Sequence, residues 1–322
     1  MTKELKSVSY VMPVLNEEKY LRKAVTSILA QEFKGKVEVI LALGPSTDNT
    51  NQIARELANE FPVILVENPT GGTSAGLNAA INRAEYDVVI RVDAHSVLEA
   101  HYTDLAVQIL NETGASNVGG VMRAVGQHRF QEAVAWAYNS RFGLGGGTFH
   151  VGGQAGPSDS VYLGVFRRSA LLQVGGFDER VIRGQDWELN LRLRQAGLVV
   201  WFDPRLQVEY HPRSRWSKLA KQFFETGIWR GTLTRRSPKT ANLRYFIPPV
   251  LTLGSLACVV AAFWLPTWVL IPVAMYFGAV VLIAATASHL SLAARASLIL
   301  VLPTMHYFWG AGFWAGLFSK RA

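Results

Sequence analysis

The first two thirds of the chain alternate between short continuous apolar runs and longer segments whose apolar residues recur at helical spacing. The apolar runs predict strands at 7–12 (ended by Pro13), 37–43, 63–66, 88–92 and 161–167. The helical spacing predicts helices at 17–31, 49–59, 74–83 and 185–195. Strands that are apolar throughout and alternate with helices indicate an α/β fold with a mostly parallel sheet covered on both faces.

The last third of the chain is apolar instead. The fifty residues from Tyr245 to Ala294 contain no Asp, Glu, Lys or Arg. One helical crossing of a bilayer takes about 20 apolar residues, so this length fits two crossings, broken near Pro266. Such a long uncharged stretch is atypical of buried helices in a soluble protein.

A third uncharged run, 296–319, carries His306 among aromatic residues. A third crossing would place Lys320 and Arg321 outside the cell, against the tendency of basic residues to stay in the cytosol. We therefore favour an interfacial or re-entrant helix for this run over a crossing.

The net charge of +8 is concentrated just before the apolar part. Ten basic residues there face only two acids, Glu209 and Glu225. The basic residues are Arg205, Arg213, Arg215, Lys218, Lys221, Arg230, Arg235, Arg236, Lys239 and Arg244. Because this block adjoins an apolar segment rather than a recognition helix, it favours an anionic membrane surface over nucleic acid.

The domain organisation follows from these patterns. We predict a cytosolic domain at 1–240, a basic juxtamembrane segment at 205–245 and a membrane anchor of two to three helices at 246–319. Residues 1–6 are polar and the next apolar run is short, so no signal peptide is expected. The single cysteine, Cys258, excludes a disulfide within the chain.

Polar clusters stand at the ends of three predicted strands: Asn16–Glu17, Ser46–Asp48 and Asp93–His95. Ligands of open α/β sheets bind outside the carboxyl ends of the strands, so these clusters predict a binding site. No G-x-G-x-x-G follows the first strand, which argues against a dinucleotide cofactor.

Two further segments allow alternative interpretations. Seven glycines at 143–156 are typical either of a surface loop or of a lid that closes over substrate. Asp186 stands in the first turn of a predicted helix, where a carboxylate can serve the helix dipole or take part in catalysis.

Seven segments in order resemble the inverting family 2 glycosyltransferases of the GT-A fold, and most of all the succinoglycan-biosynthesis type of exopolysaccharide assembly. They are Val11–Glu17, Ser46–Thr50, Arg91–His95, Tyr162–Arg168, Gly175–Asp178, Gln185–Asn190 and Gln222–Arg230. Each motif alone is weak, but their order over residues 8–230 is specific.

The resemblance implies a nucleoside diphosphate sugar donor and a divalent cation, Mn²⁺ or Mg²⁺, because the leaving diphosphate gains negative charge. It implies that Asp93 and His95, at the position of the family's Asp-x-Asp, are the metal ligands. An imidazole suits Mn²⁺ better than Mg²⁺.

The resemblance also implies that Asp186 is the general base for the acceptor hydroxyl. It is the second residue of the family's Glu-Asp pair, which reads Gln185-Asp186 here. Loss of the first carboxylate removes a like charge, so we expect the pKa of Asp186 to be raised less.

The remaining implied roles concern binding. The donor is expected to contact Pro13, Asn16, Glu17, Asp48, Asn78, Arg91 and Asp93. The acceptor or the diphosphate is expected to contact Gln185, Gln222, Trp229 and Arg230. The sequence departs from the family at Leu43, where an Asp that reads a uracil edge is expected, so the base is held otherwise or is not uracil.

We therefore expect an enzyme at the cytosolic face of the inner membrane that transfers a sugar to a membrane-associated, polyprenyl-linked glycan. A polyprenyl-phosphate sugar synthase is the alternative within the same chemistry. A non-catalytic scaffold that binds nucleotide sugars is the alternative of another class, suggested by the changes at Leu43, Gln185 and His95.

Overall fold

The structure is a computed structural model that describes residues 5–236, 238 and 242–319. Its contacts divide the chain into two compact units. The N-terminal unit comprises the residues up to Arg123 together with Gly147–Tyr210, and the C-terminal unit comprises Ala124–Gly146 and the residues from His211 onward. Lys239, Lys320 and Arg321, which entered the charge and orientation arguments, lie outside the described residues.

Strands and helices alternate through most of the described chain. The strands are β1 (Ser7–Val14), β2 (Lys36–Leu43), β3 (Val63–Glu67), β4 (Val88–Arg91), β5 (Val97–Leu98), β6 (Asn117–Ala124), β7 (Gly156–Pro157), β8 (Tyr162–Arg167) and β9 (Val200–Tyr210). The helices are α1 (Leu21–Leu29), α2 (Thr50–Glu60), α3 (Thr73–Arg83), α4 (Tyr102–Thr113), α5 (Arg129–Tyr138), α6 (Arg141–Leu144), α7 (Thr148–Val151), α8 (Arg168–Gln173), α9 (Gln185–Gln195), α10 (Trp216–Arg236), α11 (Ile247–Ala261), α12 (Ile271–Thr286) and α13 (Leu292–Phe318).

The N-terminal unit is built on one mixed sheet in the order β3-β2-β1-β4-β8-β6-β9-β5, with β7 paired to β9. Strands β3, β2, β1 and β4 are parallel, whereas β8 runs antiparallel to both β4 and β6. Alternate residues of β1 enter different cores: Tyr10 and Met12 pack on one face of the sheet and Val11 on the other. The α/β prediction is confirmed, and both faces of the sheet are covered.

The predicted elements of this sheet are present, with shifts at their ends. β1 continues through Pro13, which the sequence analysis had placed at the end of the strand. The pairing of β1 with β4 reaches only Val11, so no ladder bond to β4 requires the N–H that Pro13 lacks. The helix predicted from residue 17 begins at Leu21, because Glu17 and Glu18 take part in a loop.

The C-terminal unit contains three helical stretches that are long and apolar enough to cross a membrane: Leu243–Ala261, Thr267–Thr286 and Leu292–Phe318. The break near Pro266 lies where the sequence predicted it. Only 6% and 11% of the residues in the apolar windows of the first two stretches are buried, against 44% in the third. The first two helices are therefore not a soluble core pair, since their apolar side chains face outward.

Helix α13 is the more buried one because α5 and α10 pack on it. Residues 124–146 and 211–236, which lie within the predicted cytosolic domain at 1–240, cluster with the apolar helices in the C-terminal unit. The helices α5 and α10 contact α13, which lies far from them in the chain. The local hydrophobic pattern does not reveal such contacts.

Small residues set the close approach of α10 to α13. Gly227 and Gly231 of α10 face the backbone of α13 at Trp309 and Phe313, and a Cβ at either position would overlap a carbonyl oxygen. In return, Gly312 and Gly316 of α13 face backbone oxygens of α10. Such small-residue pairs let helix backbones touch and are typical of helix association in apolar surroundings.

We predict that Gly312→Ala destabilises the protein by about 1–3 kcal/mol, because the added methyl group overlaps the carbonyl oxygen of Phe224. Gly254→Ala, on the exposed face of α11 with open space around it, is the matched control and should change stability by less than about 1 kcal/mol. Thermal unfolding of both variants in the same detergent measures the difference. Equal midpoints would contradict the packing described.

Candidate active site

Two polar loops at the carboxyl ends of β1 and β2 are joined by hydrogen bonds. Asn16 adopts a left-handed conformation (φ 57°), which asparagine tolerates better than most residues. Its backbone N–H donates to Ser46 Oγ (3.0 Å), and its Oδ1 accepts from the backbone N–H of Thr47 (2.8 Å). The predicted clusters at 16–17 and 46–48 therefore form one surface.

Asp48 and Thr50 hold this surface together. Asp48 Oδ1 accepts from the Thr50 hydroxyl and backbone N–H, and the Thr50 hydroxyl oxygen accepts from the backbone N–H of Glu17 (2.7 Å). The hydrogen bond from the Thr50 hydroxyl lowers the pKa of Asp48 below its usual value. Asp48 is thus ionised at neutral pH and supports the loop that carries Glu17.

Arg91 connects two predicted site residues from distant parts of the chain. Its guanidinium donates to Asp93 Oδ1 through Nη2 (3.0 Å) and Nε (3.2 Å), and through Nη1 it pairs with Asp186 Oδ1. The Arg91 side chain is 8% exposed and lies 5.9 Å from the ring centroid of Phe177. One buried guanidinium therefore brings Asp93, after β4, and Asp186, in the first turn of α9, into a single site.

The two carboxyls have different electrostatic surroundings. Burial alone would raise the pKa of Asp93, but the nearby charges of Arg91 and His95 outweigh it and lower the pKa below its usual value. Burial raises the pKa of Asp186 above its usual value, and Arg91 opposes this while the Asp93 charge adds to it. Gln185 does remove one like charge beside Asp186, as expected, but Asp93 supplies another.

Such a separation of two neighbouring acids is typical of acid–base sites. Asp93 is held as a carboxylate, suited to a cation or to the ribose of a donor. Asp186 is the more basic of the two and is 27% exposed on its side chain, so it can meet a proton from solvent or substrate.

His95 lies near Asp93 and faces Glu17, with its Nδ1 atom 3.0 Å from Glu17 Oε1. A metal bond from this ring would therefore come from Nε2, with Glu17 fixing the ring from behind. Among the described residues, no group of three or more His, Cys, Asp or Glu side chains is arranged to hold an ion. The donor set fits a cation that takes Asp93 and His95 from the protein and its other ligands from substrate phosphates.

Two tyrosines, which the sequence analysis did not single out, line the same region. The Tyr210 ring lies edge-on to both His95 and Tyr162, with ring centroids 6.4 Å apart in each pair. Burial raises the pKa of Tyr162 well above its usual value, and the Asp93 charge adds to this. A strand irregularity places Tyr162 there: the pairing of β6 with β8 shifts, and Leu163 has a positive φ of 49°.

Three other predicted residues have structural partners. Asn78 accepts from the backbone N–H of Phe177 (2.8 Å) and donates to its carbonyl (2.9 Å), so it supports the turn that carries Phe177.

Gln185 donates to the carbonyl of Ile182 (2.7 Å). Pro13 lies against Gly76 of α3. Leu43, which stands where an Asp was expected, points into the core and is 6% exposed.

Gln222, Trp229 and Arg230 belong to α10 in the C-terminal unit. The Arg230 guanidinium carbon lies 4.6 Å from the ring centroid of Trp229 and 3.9 Å from that of Tyr245. Burial lowers the pKa of Arg230 to about 10, so the side chain remains a cation at neutral pH.

The glycine-rich segment at 143–156, which the sequence allows as a surface loop or a lid, has local helical structure. It contains the short helices α6 and α7, and glycines in left-handed conformations end them. Gly145, Gly146 and Gly152 have φ between 74° and 80°, which residues with a side chain rarely adopt.

The mixed, mostly parallel sheet is that of a GT-A-like fold. The family described as "Glycosyl transferase family 2" matches residues 9–175, and the chain belongs to this family. The predicted family resemblance and the enzyme class are confirmed.

Relatives extend the match along the chain. The succinoglycan biosynthesis protein ExoA of Rhizobium meliloti is 31% identical, over 99% of this chain and 98% of its own length. A Methanococcus voltae enzyme that transfers a diacetamido-dideoxyglucuronosyl group to dolichyl N-acetyl-α-D-glucosaminyl phosphate is 26% identical, over 71% of this chain and 74% of its own.

Solved structures support the fold. The mannosyltransferase PcManGT from Pyrobaculum calidifontis, in complex with GDP-Man and Mn²⁺, matches 99% of this chain and 89% of its own, with a TM-score of 0.69 and 17% identity. A structure of S. aureus TarS in complex with UDP matches 93% of this chain and 90% of its own, with a TM-score of 0.51 and 17% identity.

We predict that Arg91→Gln moves the acid limb of the pH–activity profile to higher pH. Arg91 lowers the pKa of Asp186, so its removal raises that pKa further, and a base acts only when ionised. The measurement is kcat/KM for sugar transfer between pH 4 and 9. Arg22→Gln, which breaks an exposed ion pair with Glu56 and Glu60, is the control and should leave the profile in place. An unmoved limb in Arg91→Gln would contradict the pairing.

Proposed function

We propose that the protein transfers a sugar, with inversion, from a nucleoside diphosphate sugar to a lipid-linked glycan at the cytosolic face of the membrane. The observation that carries this proposal is the placement of Asp93 and Asp186 on one buried guanidinium at the carboxyl edge of the sheet. A donor diphosphate near Asp93 then has a base within the same site.

The donor would lie on the surface formed by the loops after β1, β2 and β4. Asn16, Glu17 and Asp48 belong to this surface, and the loop after β4 joins it through the contact of His95 with Glu17. Leu43 offers no hydrogen-bond group to a base, because its side chain is in the core. Recognition of the base therefore depends on the polar groups of the loops at 16–17 and 46–48, such as Ser46.

The reaction is a single displacement. The acceptor hydroxyl oxygen attacks the anomeric carbon as its proton passes to Asp186, and the bond from the anomeric carbon to the diphosphate oxygen breaks. The products are the extended glycan and a nucleoside diphosphate. Attack from the side opposite the leaving group inverts the anomeric centre, and general-base catalysis of this kind contributes about 10²–10⁴-fold to the rate.

Asp93 and His95 would hold a divalent cation together with the diphosphate. When bound, this ion would stabilise the charge that develops on the leaving diphosphate. Two carboxylates share one guanidinium in the site, so Arg91 leaves part of their negative charge to attract a cation. Mn²⁺ suits the imidazole better than Mg²⁺ does.

The acceptor is inferred from the apolar helices and from the relatives. Three stretches of the chain are apolar and long enough for a membrane, and exposed basic residues precede them on α10. Juxtamembrane Lys and Arg each contribute about 1 kcal/mol to binding an anionic surface. Gln222, Trp229 and Arg230 are proposed to contact the acceptor or the diphosphate, with the cationic Arg230 suited to phosphate.

A polyprenyl-phosphate sugar synthase remains the second candidate. Purified protein with labelled donors and Mn²⁺ would be offered either a lipid diphosphate-linked sugar or bare polyprenyl phosphate. Transfer to the linked sugar supports the proposal, whereas product only on the bare phosphate selects the alternative. No product with either acceptor from a panel of UDP-, GDP- and TDP-sugars would contradict both.

We predict that Asp186→Asn lowers kcat by about 10²–10⁴-fold, because the amide cannot accept the proton. Donor binding should be retained, since Asp93 and the strand-end loops remain. Transfer kinetics and nucleotide titration measure the two effects separately. Asp159→Asn, which removes an exposed partner of Arg194, is the control. Full activity of Asp186→Asn would support a non-catalytic scaffold instead.

We predict that His95→Ala raises by about tenfold or more the Mn²⁺ concentration at which a nucleoside diphosphate stabilises the protein. His101→Ala is the matched control, because His101 faces Glu32 in a comparable but exposed pair. Thermal unfolding with nucleoside diphosphates over a Mn²⁺ series measures the effect. Equal Mn²⁺ dependence in the two variants would exclude His95 as a ligand.

A further inference from the structure

Helix α9, which carries Asp186 in its first turn, buries a polar residue among apolar ones. Three of its eleven residues are buried: Leu189, Asn190 and Leu193. The two leucines belong to the apolar core on one face of the sheet, and Asn190 beside them is only 1% exposed. Burying an amide costs free energy unless hydrogen bonds replace its contacts with water. The partners of Asn190 must therefore account for its place in the core.

Asn190 links two other buried polar side chains. Its Oδ1 accepts from Asn117 Nδ2 (2.7 Å), and its Nδ2 donates to Ser160 Oγ (3.1 Å). Asn117 is fully buried at the start of β6, and Ser160 is buried shortly before β8. A Cβ at Gly164 of β8 would overlap Asn117 Oδ1, so this glycine makes room for the amide. These bonds attach α9 to the sheet at one fixed position.

The buried face of α9 is also the face that carries Asp186. Asp186 precedes Asn190 by four residues and Leu189 by three, and side chains at these spacings lie on the same side of a helix. Arg91 follows Val89 by two residues along β4, so both point to the same face of the sheet. Val89 and Leu189 share one core, which shows that α9 covers that face. One rotation of α9 therefore serves both the core and the pair with Arg91.

Helix α9 is attached to this face at two strands. Asp186 pairs with Arg91 of β4, and Asn190 bonds to Asn117 of β6. Strand β8 lies between these two strands, so they are about 10 Å apart. The two helix residues are about 6 Å apart along the helix axis. Because both side chains lie on one side of the helix, a rotation that breaks the Asn190 contact also moves Asp186 away from Arg91.

The leucines of α9 do not fix this rotation by themselves. Apolar burial is not directional, so Leu189 and Leu193 tolerate a helix rotated by a fraction of a turn. The start of α9 follows Gly184, which has no side chain to cap it. A buried amide with two partners has a defined geometry, and such residues specify register in helical assemblies at a cost in stability.

We propose that Asn190, held between Asn117 and Ser160, is a positioning residue that keeps Asp186 at Arg91 and within reach of the acceptor hydroxyl. The inference rests on the proposed role of Asp186 as the base, and Asn190 acts on the reaction through Asp186. It also gives a function to the last residue of the segment Gln185–Asn190, to which the family resemblance assigned none.

Asn190→Leu tests the proposal, because leucine has the branching of asparagine and no polar atoms. The variant should lower kcat for sugar transfer by about 10–100-fold, since a displacement of about 1 Å suffices for a loss of that order. Titration with a nucleoside diphosphate should show the affinity of the parent, because Asp93 and the loops at 16–17 and 46–48 belong to other elements. Loss of donor affinity in proportion to kcat would contradict a role through Asp186.

Asn111→Leu is the matched control. Asn111 lies on α4 and also bonds through both amide atoms, to the backbone N–H (3.1 Å) and the carbonyl (3.3 Å) of Leu5. The control should lower the thermal midpoint and keep kcat. An equal loss of kcat in the two variants would show that any lost amide has this effect and would overturn the proposal.

Replacing both amides separates positioning from stability. When Asn117→Leu is combined with Asn190→Leu, no amide is left without its partner, so the thermal midpoint should recover most of the loss. The value of kcat should stay low, because two leucines do not fix the rotation of α9. Recovery of kcat together with the midpoint would overturn the proposal.

The decisive comparison adds Asn190→Leu to Asp186→Asn. If Asn190 acts through Asp186, the added change should have little further effect on kcat, whereas an equal fold-loss in both backgrounds would overturn the inference. Ser160→Ala, which removes one partner only, replaces Asn190→Leu if that variant does not fold, and its smaller loss should likewise vanish in the Asp186→Asn background. Failure of the proposed function gives a different result: Asp186→Asn would keep full activity, or the parent would transfer no sugar.

Discussion

The site depends on one buried charge. Arg91 is 8% exposed, and a guanidinium in that position is costly unless carboxylates pair with it. Two carboxylates pair with it. Asp93 lies two residues along the chain, and Asp186 lies in the first turn of α9, far along the chain. The pairing therefore ties the end of β4 to the start of α9, and Phe177 covers the guanidinium.

This constraint also separates the roles of the two acids. Asp93 has Arg91 and His95 beside it and is held as a carboxylate, which suits a cation or a donor ribose. Asp186 is the more basic acid, because burial and the Asp93 charge outweigh the influence of Arg91. Asp186 and Asp93 are the same residue type, and their different surroundings make one suited to accept a proton and the other suited to bind the donor.

Much of this could be predicted from the sequence. The strands that end at Leu43 and near Arg91 are continuous apolar runs, and α9 has the bounds that its spacing indicated. The motif order placed Asp93 and Asp186 in one site before any distance was known. The strand and helix bounds could be predicted because they depend on the local hydrophobic pattern. The proximity of Asp93 and Asp186 could be predicted because it follows from the order of the motifs.

Other features depend on contacts between distant segments. Arg91 was expected among the donor-binding residues, and the sequence did not indicate that it pairs with Asp186. The position of Tyr162 depends on a shift in strand pairing and on a strained Leu163, which no propensity predicts. The sequence did not indicate that Asn78, which is expected to bind the donor, bonds through its amide to Phe177 of a turn 99 residues away.

The most direct measurement of the central claim is a double-mutant cycle on Arg91 and Asp186. Arg91→Gln, Asp186→Asn and the double variant are compared with the parent for kcat/KM of sugar transfer. If the two side chains act as one unit, the double variant should be hardly worse than Asp186→Asn alone, with a coupling free energy of about 1–3 kcal/mol. Losses that simply add would show that Arg91 and Asp186 act independently and would contradict the account given above.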